Sequence, residues 1–407
     1  MIANAVAITT ALAVAAFVLS PRVRASSHWR ATVTPLASII GSGFLVSLPI
    51  LTSAVGHYAI VAMAALLGLS YLFGSAIRFN IRYGEPMFAE EGPSHLMPVE
   101  RMSHIALAFA YFISVAYYLT LLSAFLLKAI GLPDPLLAQS ITTAILVAIG
   151  AFGLWKGLHG LEGVEEYAVG LKLAIIAAVL AALALLNINL LVAGDWAPAH
   201  VPGVVEWDDV RIVLGLLIVV QGFETSRFLA GEYPPDTRIR TMRLAQFIAG
   251  AIYLAFFALA LVVAEKHPVN GDVAVMIDLV AAAAPVLPIM LAAGAVFAQL
   301  SAAIADAIAS AGLIQEETRG AIRRRGAYPV IAAIGVLIVW STDVFSIIAL
   351  SSRAFALFYA LQCVVAAQVA LRAPDVDRRR LRALGFVVLA VLAFAAAVFG
   401  LPSEGGE

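Results

Sequence analysis

The sequence predicts an all-α integral membrane protein, a bundle of about twelve transmembrane helices made of two five-helix halves of opposite orientation with one extra helix before them and one after. Three observations predict it. Of 407 residues, 62% are hydrophobic and only 13% charged, with a mean hydropathy of +0.98, whereas a soluble globule usually carries about a quarter charged residues. The apolar residues fall into runs of roughly 20, long enough to cross a bilayer, joined by short connections. Two of these runs, at matching positions in the two halves, are interrupted by glycine and polar residues: Gly41-Ser42-Gly43 and Gln221-Gly222-Phe223-Glu224.

Composition also sets exclusions. A net charge of -1 leaves no basic face for nucleic acid. The single cysteine, Cys363, permits no intramolecular disulfide, and no Cys/His cluster suggests a metal or cofactor. No Ser/His/Asp, HExxH or phosphate-loop arrangement points to an enzyme. The spans use nearly the whole length, so no soluble domain is left over.

Taken in order, residues 1–31 hold an extra helix, from Ile2 to Ser20, and a basic loop from Pro21 to Arg30. The helix lacks a preceding basic residue and a small-residue cleavage site, so it reads as retained. Residues 32–193 form the first half, with spans at 32–55, 57–79, 103–130, 135–155 and 164–193. An external loop, 194–208, leads to the second half at 209–371, with spans at 209–230, 241–264, 284–313, 327–341 and 344–371; residues 372–407 carry a last span, 382–400. Alternate loops concentrate arginine, notably Arg238, Arg240, Arg243, Arg323 to Arg325 and Arg378 to Arg380, while the others carry Asp134, Asp208, Asp209 and Asp272. The positive-inside rule then places the N-terminus outside a plasma (inner) membrane. The stretch from Val273 to Val286 is apolar yet too short to span, and reads as a short helix over an outer vestibule.

Glycines flanking a serine are poor helix formers where lipid offers the backbone no partner, so an opened helix is tolerable only around an enclosed cavity. Two interrupted helices at corresponding positions point to a transporter with inverted repeats and a midplane site. Five helices is an odd number, so the second half runs opposite to the first. The plainer reading of Gly41 and Gly43 is close helix packing. Half-helices that meet in this way expose N–H groups at one end and C=O groups at the other, a dipolar site without side-chain charge.

At these residues the chain resembles the amino acid-polyamine-organocation (APC) superfamily of secondary transporters, which share the LeuT-type five-plus-five fold. Gly41-Ser42-Gly43-Phe44 is similar to the family's break in helix 1, and Gly222-Phe223-Glu224 with Ala230-Gly231-Glu232 to its helix 6 pattern. Weaker matches are Glu166-Tyr167 with Lys172, Ala309 to Gly320, and Leu350-Ser351-Ser352 through Tyr359. The resemblance implies alternating-access transport of an amino acid or related small organic amine. A carboxylate would meet the N–H groups of Ser42, Gly43 and Phe44, and an ammonium the carbonyls around Ile39, Ile40, Val219, Val220 and Gln221. Phe223 stands beside the break as an aromatic gate or as core packing, and Tyr117 or Tyr118 as pocket wall or core.

The deep charges bear on coupling. The resemblance puts Lys172 where relatives bind sodium, which implies an embedded cation and H+ coupling; the alternative is a lysine that snorkels to the surface. Asp306 and Arg353 depart from the family pattern. They form a structural ion pair, or Asp306 relays protons with Lys172 or holds a cation with Ser301 and Ser310, while Arg353 recognises an anionic substrate group. Glu224 satisfies freed backbone N–H groups or carries a proton. Competing readings are a Na+-coupled carrier and a non-transporting receptor or channel on the same scaffold. Expected partners are a small-molecule substrate and the lipid bilayer, with the accessory helices available for a homo-oligomer contact.

Overall fold

The computed structural model describes residues 1–41, 43–90, 97–158, 165–197, 205–264 and 276–402. The chain begins with α1 (Ile2–Val18) and the short α2 (Pro21–Arg24). Helix α3 (Ser27–Ile39) starts where Ser26 Oγ accepts the Trp29 N–H at 3.3 Å, satisfying one of the orphan donors of its first turn. It stops at Ile40, whose φ of -90° and ψ of 61° leave the helical region. The same crossing resumes as α4 (Gly43–Val55). Next come α5 (Ala59–Phe79), a π-turn at Asn80–Gly84 and α6 (Glu85–Glu90), then α7 (Met97–Ala129), α8 (Pro135–Trp155) and α9 (Glu165–Ala193).

The second interruption is longer. Helix α10 (Trp207–Leu214) gives way to a 3-10 turn at Leu217–Val220, an extended Gln221, Gly222 at φ +112°, and a second 3-10 stretch at Phe223–Leu229. The chain then continues through α11 (Pro235–Ala264), α12 (Met276–Ala283), α13 (Leu287–Glu317), α14 (Arg324–Ser341), α15 (Val344–Arg372) and α16 (Arg379–Phe399).

Among the described residues, eight apolar helical runs have the length and composition of a membrane span, one of which, Leu45–Phe88, joins α4 to α5 and α6. The remaining crossings are made of shorter pieces: α1, α3, α10 with its 3-10 continuations, and α14. Helices α7 and α11 begin at Met97 and Pro235, earlier than the apolar pattern predicts at 103 and 241. The extra turns carry Glu100 and Arg238, whose charges are paired inside the protein, a circumstance invisible to hydropathy. The short external stretch is helical as α12, with Met276, Ile277 and Val280 buried; residues 273–275 lie outside the described ones.

Burial sorts the helices. The apolar window of α7 is 83% buried, against 28% for α8 and for α16, so α7 is central and the other two peripheral. Helix α16 lies along α15, where Arg353 Nε donates to Ala397 O at 2.7 Å. Its far end meets α10: Arg211 Nε donates to Phe399 O at 3.1 Å and Leu401 N–H to Arg211 O at 3.0 Å.

The two interrupted helices cross at Gly222. A Cβ built there would lie 2.4 Å from Ser38 Cβ and 2.8 Å from Ile39 N, so the backbones touch as no larger residue allows. Its positive φ demands glycine independently. Gly222→Ala is expected to cost about 1–2 kcal/mol for the left-handed backbone and about 1–3 kcal/mol more for overpacking. A fall in the melting temperature of detergent-purified protein measures this, with Gly231→Ala, where nothing lies within 4 Å, as the neutral control.

Candidate functional site

Opening two helices in the protein interior frees backbone groups that must be paired locally. At the helix 1 break, Ala37 O accepts from Lys172 Nζ of α9 at 3.0 Å, and Ile39 O accepts from Tyr253 Oη of α11 at 3.2 Å. The same Tyr253 hydroxyl also lies against Val219 O at the helix 6 break, so one buried phenol links both interruptions. Val220 O accepts from Ser70 Oγ of α5 at 2.8 Å. On the donor side, Ile218 N–H goes to Ser352 Oγ of α15 at 2.9 Å, and Gly222 N–H to Glu224 Oε2 at 2.9 Å.

Around this junction polar groups converge from α7. A Cβ on Gly43 would lie 3.1 Å from Tyr117 Oη and 3.3 Å from Val219, and one on Gly41 would lie 3.4 Å from the Tyr118 ring. Tyr118 Oη accepts from Gln221 Nε2 at 3.2 Å. Tyr117 Oη, Gln221 Oε1 and Glu224 Oε1 are buried without a hydrogen-bond partner among the described residues. Buried polar atoms left open in this way are capacity for a ligand. Sequence reading put Ile39, Ile40, Gly41, Gly43, Val219, Val220, Gln221, Gly222 and Tyr117 in the site, and the structure brings these residues to one place. Ser42 lies outside the described residues, as does the side chain of Phe44. Phe223 is fully buried and stacks on Tyr359 with ring centroids 5.0 Å apart. Tyr359 Oη in turn donates to Glu224 Oε2 at 2.8 Å.

Lys172 is only 7% exposed, and its ammonium points at the helix 1 break, so it does not snorkel. It borders a small cavity of about 20 Å3, room for one water-sized occupant, walled by Gly41, Leu45, Ile176, Gly294 and Ala298. Asp306 is also buried but faces α7, where Ser114 Oγ donates to its Oδ2. Ser310 faces the same helix and donates to Ala108 O at 3.2 Å, and Ser301 is half-buried. Arg353 is a correction. It is exposed, on the face of α15 turned to α16, and is spent on Ala397 O, which removes it from the substrate site and from any pair with Asp306.

One constellation was read from sequence only as loop charge. Beyond the helix 6 break, Arg227 lies 2.5 Å from Glu100 of α7 and donates to Gln362 of α15 at 2.5 Å. Gln362 donates to Glu100 at 3.0 Å and to Ser103 at 2.7 Å, and accepts from Asn80 at 2.9 Å. Arg238 of α11 makes a bidentate pair with Glu85 at 2.9 and 2.6 Å. These groups are nearly all buried, so the cluster is a plug of paired charge at one end of the bundle.

Residues 21–400 match a family model described as APC superfamily transporter. The chain belongs to that superfamily. It is 41% identical over 394 residues, 95% of this chain and 94% of the other, to an uncharacterized protein of Aquifex aeolicus (strain VF5). Its fold is similar to that of MhsT, a LeuT-fold transporter solved in complex with L-phenylalanine, with a TM-score of 0.58, 15% identity, and coverage of 92% of this chain and 99% of that one. APC membership makes this chain a multi-pass membrane transporter and not an enzyme.

Tyr253→Phe deletes the hydroxyl that reaches both breaks and removes the single proton shared between the buried carbonyls of Ile39 and Val219. The expected cost is about 1–3 kcal/mol, read as a lowered melting temperature at unchanged helix content by circular dichroism.

Proposed function

We propose that this APC member is a secondary active transporter of an amino acid or related small organic amine, coupled to H+. The observation that carries the reading is the meeting of two opened helices at Gly222 and Ser38, with unpartnered polar atoms of Tyr117 and Gln221 beside them. A zwitterion matches such a dipolar site. Its carboxylate suits the N–H end at Gly43 and Phe44, and its ammonium suits carbonyls and hydroxyls. That MhsT holds L-phenylalanine on this fold accords with the reading.

Hydrogen bonding divides the molecule into two bodies. Helices α3 to α5, the segment 207–229 and α11 are tied together by Tyr253, by Ser70 to Val220 O, by Gln246 Nε2 to Ser70 O at 2.9 Å, and by Arg78 to Gln246 at 2.5 Å. To α7, α9 and α15 they are tied by Lys172, Ser352 and Tyr359, by Gln221 to Tyr118, by Asn187 to Leu259 O, and by the Arg227 cluster with Asn80 on Gln362. Alternating access as a rocking of the first body on the second breaks the second set and keeps the first. Residues 32–193 and 209–371 supply the two symmetry-related halves. The loop charges put the Arg227 cluster on the inner side, so the closed cluster is an inner gate.

Lys172 provides the coupling. Its ammonium ties α9 to the carbonyl end of α3, and loss of its proton removes the charge from that bond. In a proteoliposome assay, a labelled amino acid should accumulate under a pH gradient without Na+. Accumulation that follows a Na+ gradient alone would favour the sodium-coupled alternative, and binding without accumulation would favour a receptor or channel. Lys172→Ala should flatten the pH dependence of uptake; an unchanged profile removes the lysine from coupling.

Gly43→Val places a side chain against Tyr117 Oη and Val219. Binding of the labelled substrate should fall at least roughly a hundredfold, the scale of a lost binding contact of about 3 kcal/mol, with membrane insertion unchanged. Normal uptake by this variant sinks the site.

A further inference from the structure

The inner gate contains a titratable group that the coupling scheme does not use. His104 of α7, one turn beyond Glu100, has both ring nitrogens on carboxylates from different helices. Nε2 lies 3.1 Å from Glu100 Oε1, and Nδ1 lies 3.2 Å from Glu317 Oε1 of α13. An ionised carboxylate only accepts, and a neutral imidazole has a single N–H. Only the imidazolium can donate in both contacts at once. The environment is confined: the His104 side chain is 16% exposed, with the Phe228 ring 6.2 Å away from its own. Arg101 pairs with Glu317 at 2.7 Å, and Glu316 adds charge from the same turn of α13.

The decisive feature is which oxygen His104 uses. Glu100 Oε1 is also the oxygen that Arg227 Nη2 approaches at 2.5 Å. Two cations thus share one acceptor, one from the rocking body and one from the stationary body. Each weakens the hold of the other by direct repulsion, and by linkage the effect is reciprocal. When Arg227 leaves, Glu100 becomes a buried carboxylate that needs a positive partner, and His104 is already in place to be that partner. A proton on His104 is therefore bound more tightly in the open gate than in the closed one, and it shifts the population toward the open gate.

We propose that His104 is a proton-binding site of the inner gate, at which the imidazolium competes with Arg227 for Glu100 Oε1, so that taking up a proton releases the gate. The inference rests on the alternating-access reading above and adds a second proton site, distinct from Lys172 in place and in role. Lys172 bonds to the substrate-side break, whereas His104 bonds to the latch. Glu317 holds the imidazolium on the stationary body while Arg227 moves.

The test needs no substrate. Spin labels at Ala230→Cys, on the rocking body, and Ala321→Cys, just beyond α13, in a Cys363→Ala background, report the width of the inner end by pulsed electron paramagnetic resonance. In liposomes, the ratio of open to closed distances is expected to rise roughly tenfold, about 1.4 kcal/mol, as pH falls from about 8 to about 5.5 across the free imidazole range near 6.5. His104→Gln, checked for monodispersity, should abolish that response. Glu317→Gln, which keeps the histidine and removes one carboxylate, should move the midpoint to lower pH. An unchanged response in His104→Gln, or an unmoved midpoint in Glu317→Gln, overturns the proposal. A response lost in Lys172→Ala but kept in His104→Gln assigns the proton to the lysine, overturning this inference while leaving the coupling reading intact. A single distance at every pH would instead overturn the rocking motion on which both depend.

Discussion

The structure depends on one constraint: a peptide group buried away from water must find its partner inside the protein. Uninterrupted helices meet it automatically. Opening α3 at Ile40 and the helix 6 region at Gln221 breaks that arrangement twice, and the surrounding side chains repair it. Lys172, Tyr253 and Ser70 supply donors to Ala37, Ile39, Val219 and Val220, while Ser352 and Glu224 accept from Ile218 and Gly222. Each of the interruptions is thus held by side chains from elsewhere in the fold, and the polar groups still open beside them, on Tyr117 and Gln221, are what a ligand can use.

This repair also explains how a site can be rigid enough to select and loose enough to move. Tyr253 of α11 binds both interruptions, so in the proposed rocking motion they keep their mutual geometry. Lys172 and Ser352 reach in from the other body, so their bonds report the relative position of the two. A single charge-assisted or hydroxyl hydrogen bond contributes on the order of 1–3 kcal/mol, small enough to exchange during a cycle. The Arg227 cluster is heavier, because a buried ion pair stripped of one member leaves a strongly disfavoured charge.

Much of this was legible in the sequence. The glycine-rich interruptions were legible because glycine and serine in a bilayer-length apolar run conflict with helix propensity, and the structure opens both helices there. Lys172 was legible for a similar reason, as a charge deep in an apolar run, and the structure buries it against Ala37 O. Arg353 misled because depth along a helix says nothing about azimuth: it sits mid-helix but on the outer face of α15, where its Nε–H donates to Ala397 O. Tyr253 left no signal at all, since a tyrosine within an apolar helix looks the same whether it packs or donates. The Arg227, Glu100, His104 and Glu317 cluster was hidden more subtly. Its arginines obey the positive-inside pattern that loop charges obey, and only the fold shows that they turn inward to acids on other helices.

The last turn of α16 is bonded on two sides. Ala397 is fastened to α15 through Arg353, while Phe399 and Leu401 are fastened to α10 through Arg211. The proposed rocking assigns α15 to the stationary body and α10 to the moving one, and on that assignment this peripheral helix spans the seam between them like a strap. Any outward swing of α10 must stretch, bend or unfasten that strap before it goes far. In the proposed cycle, an accessory helix in such a place would set the length of the stroke.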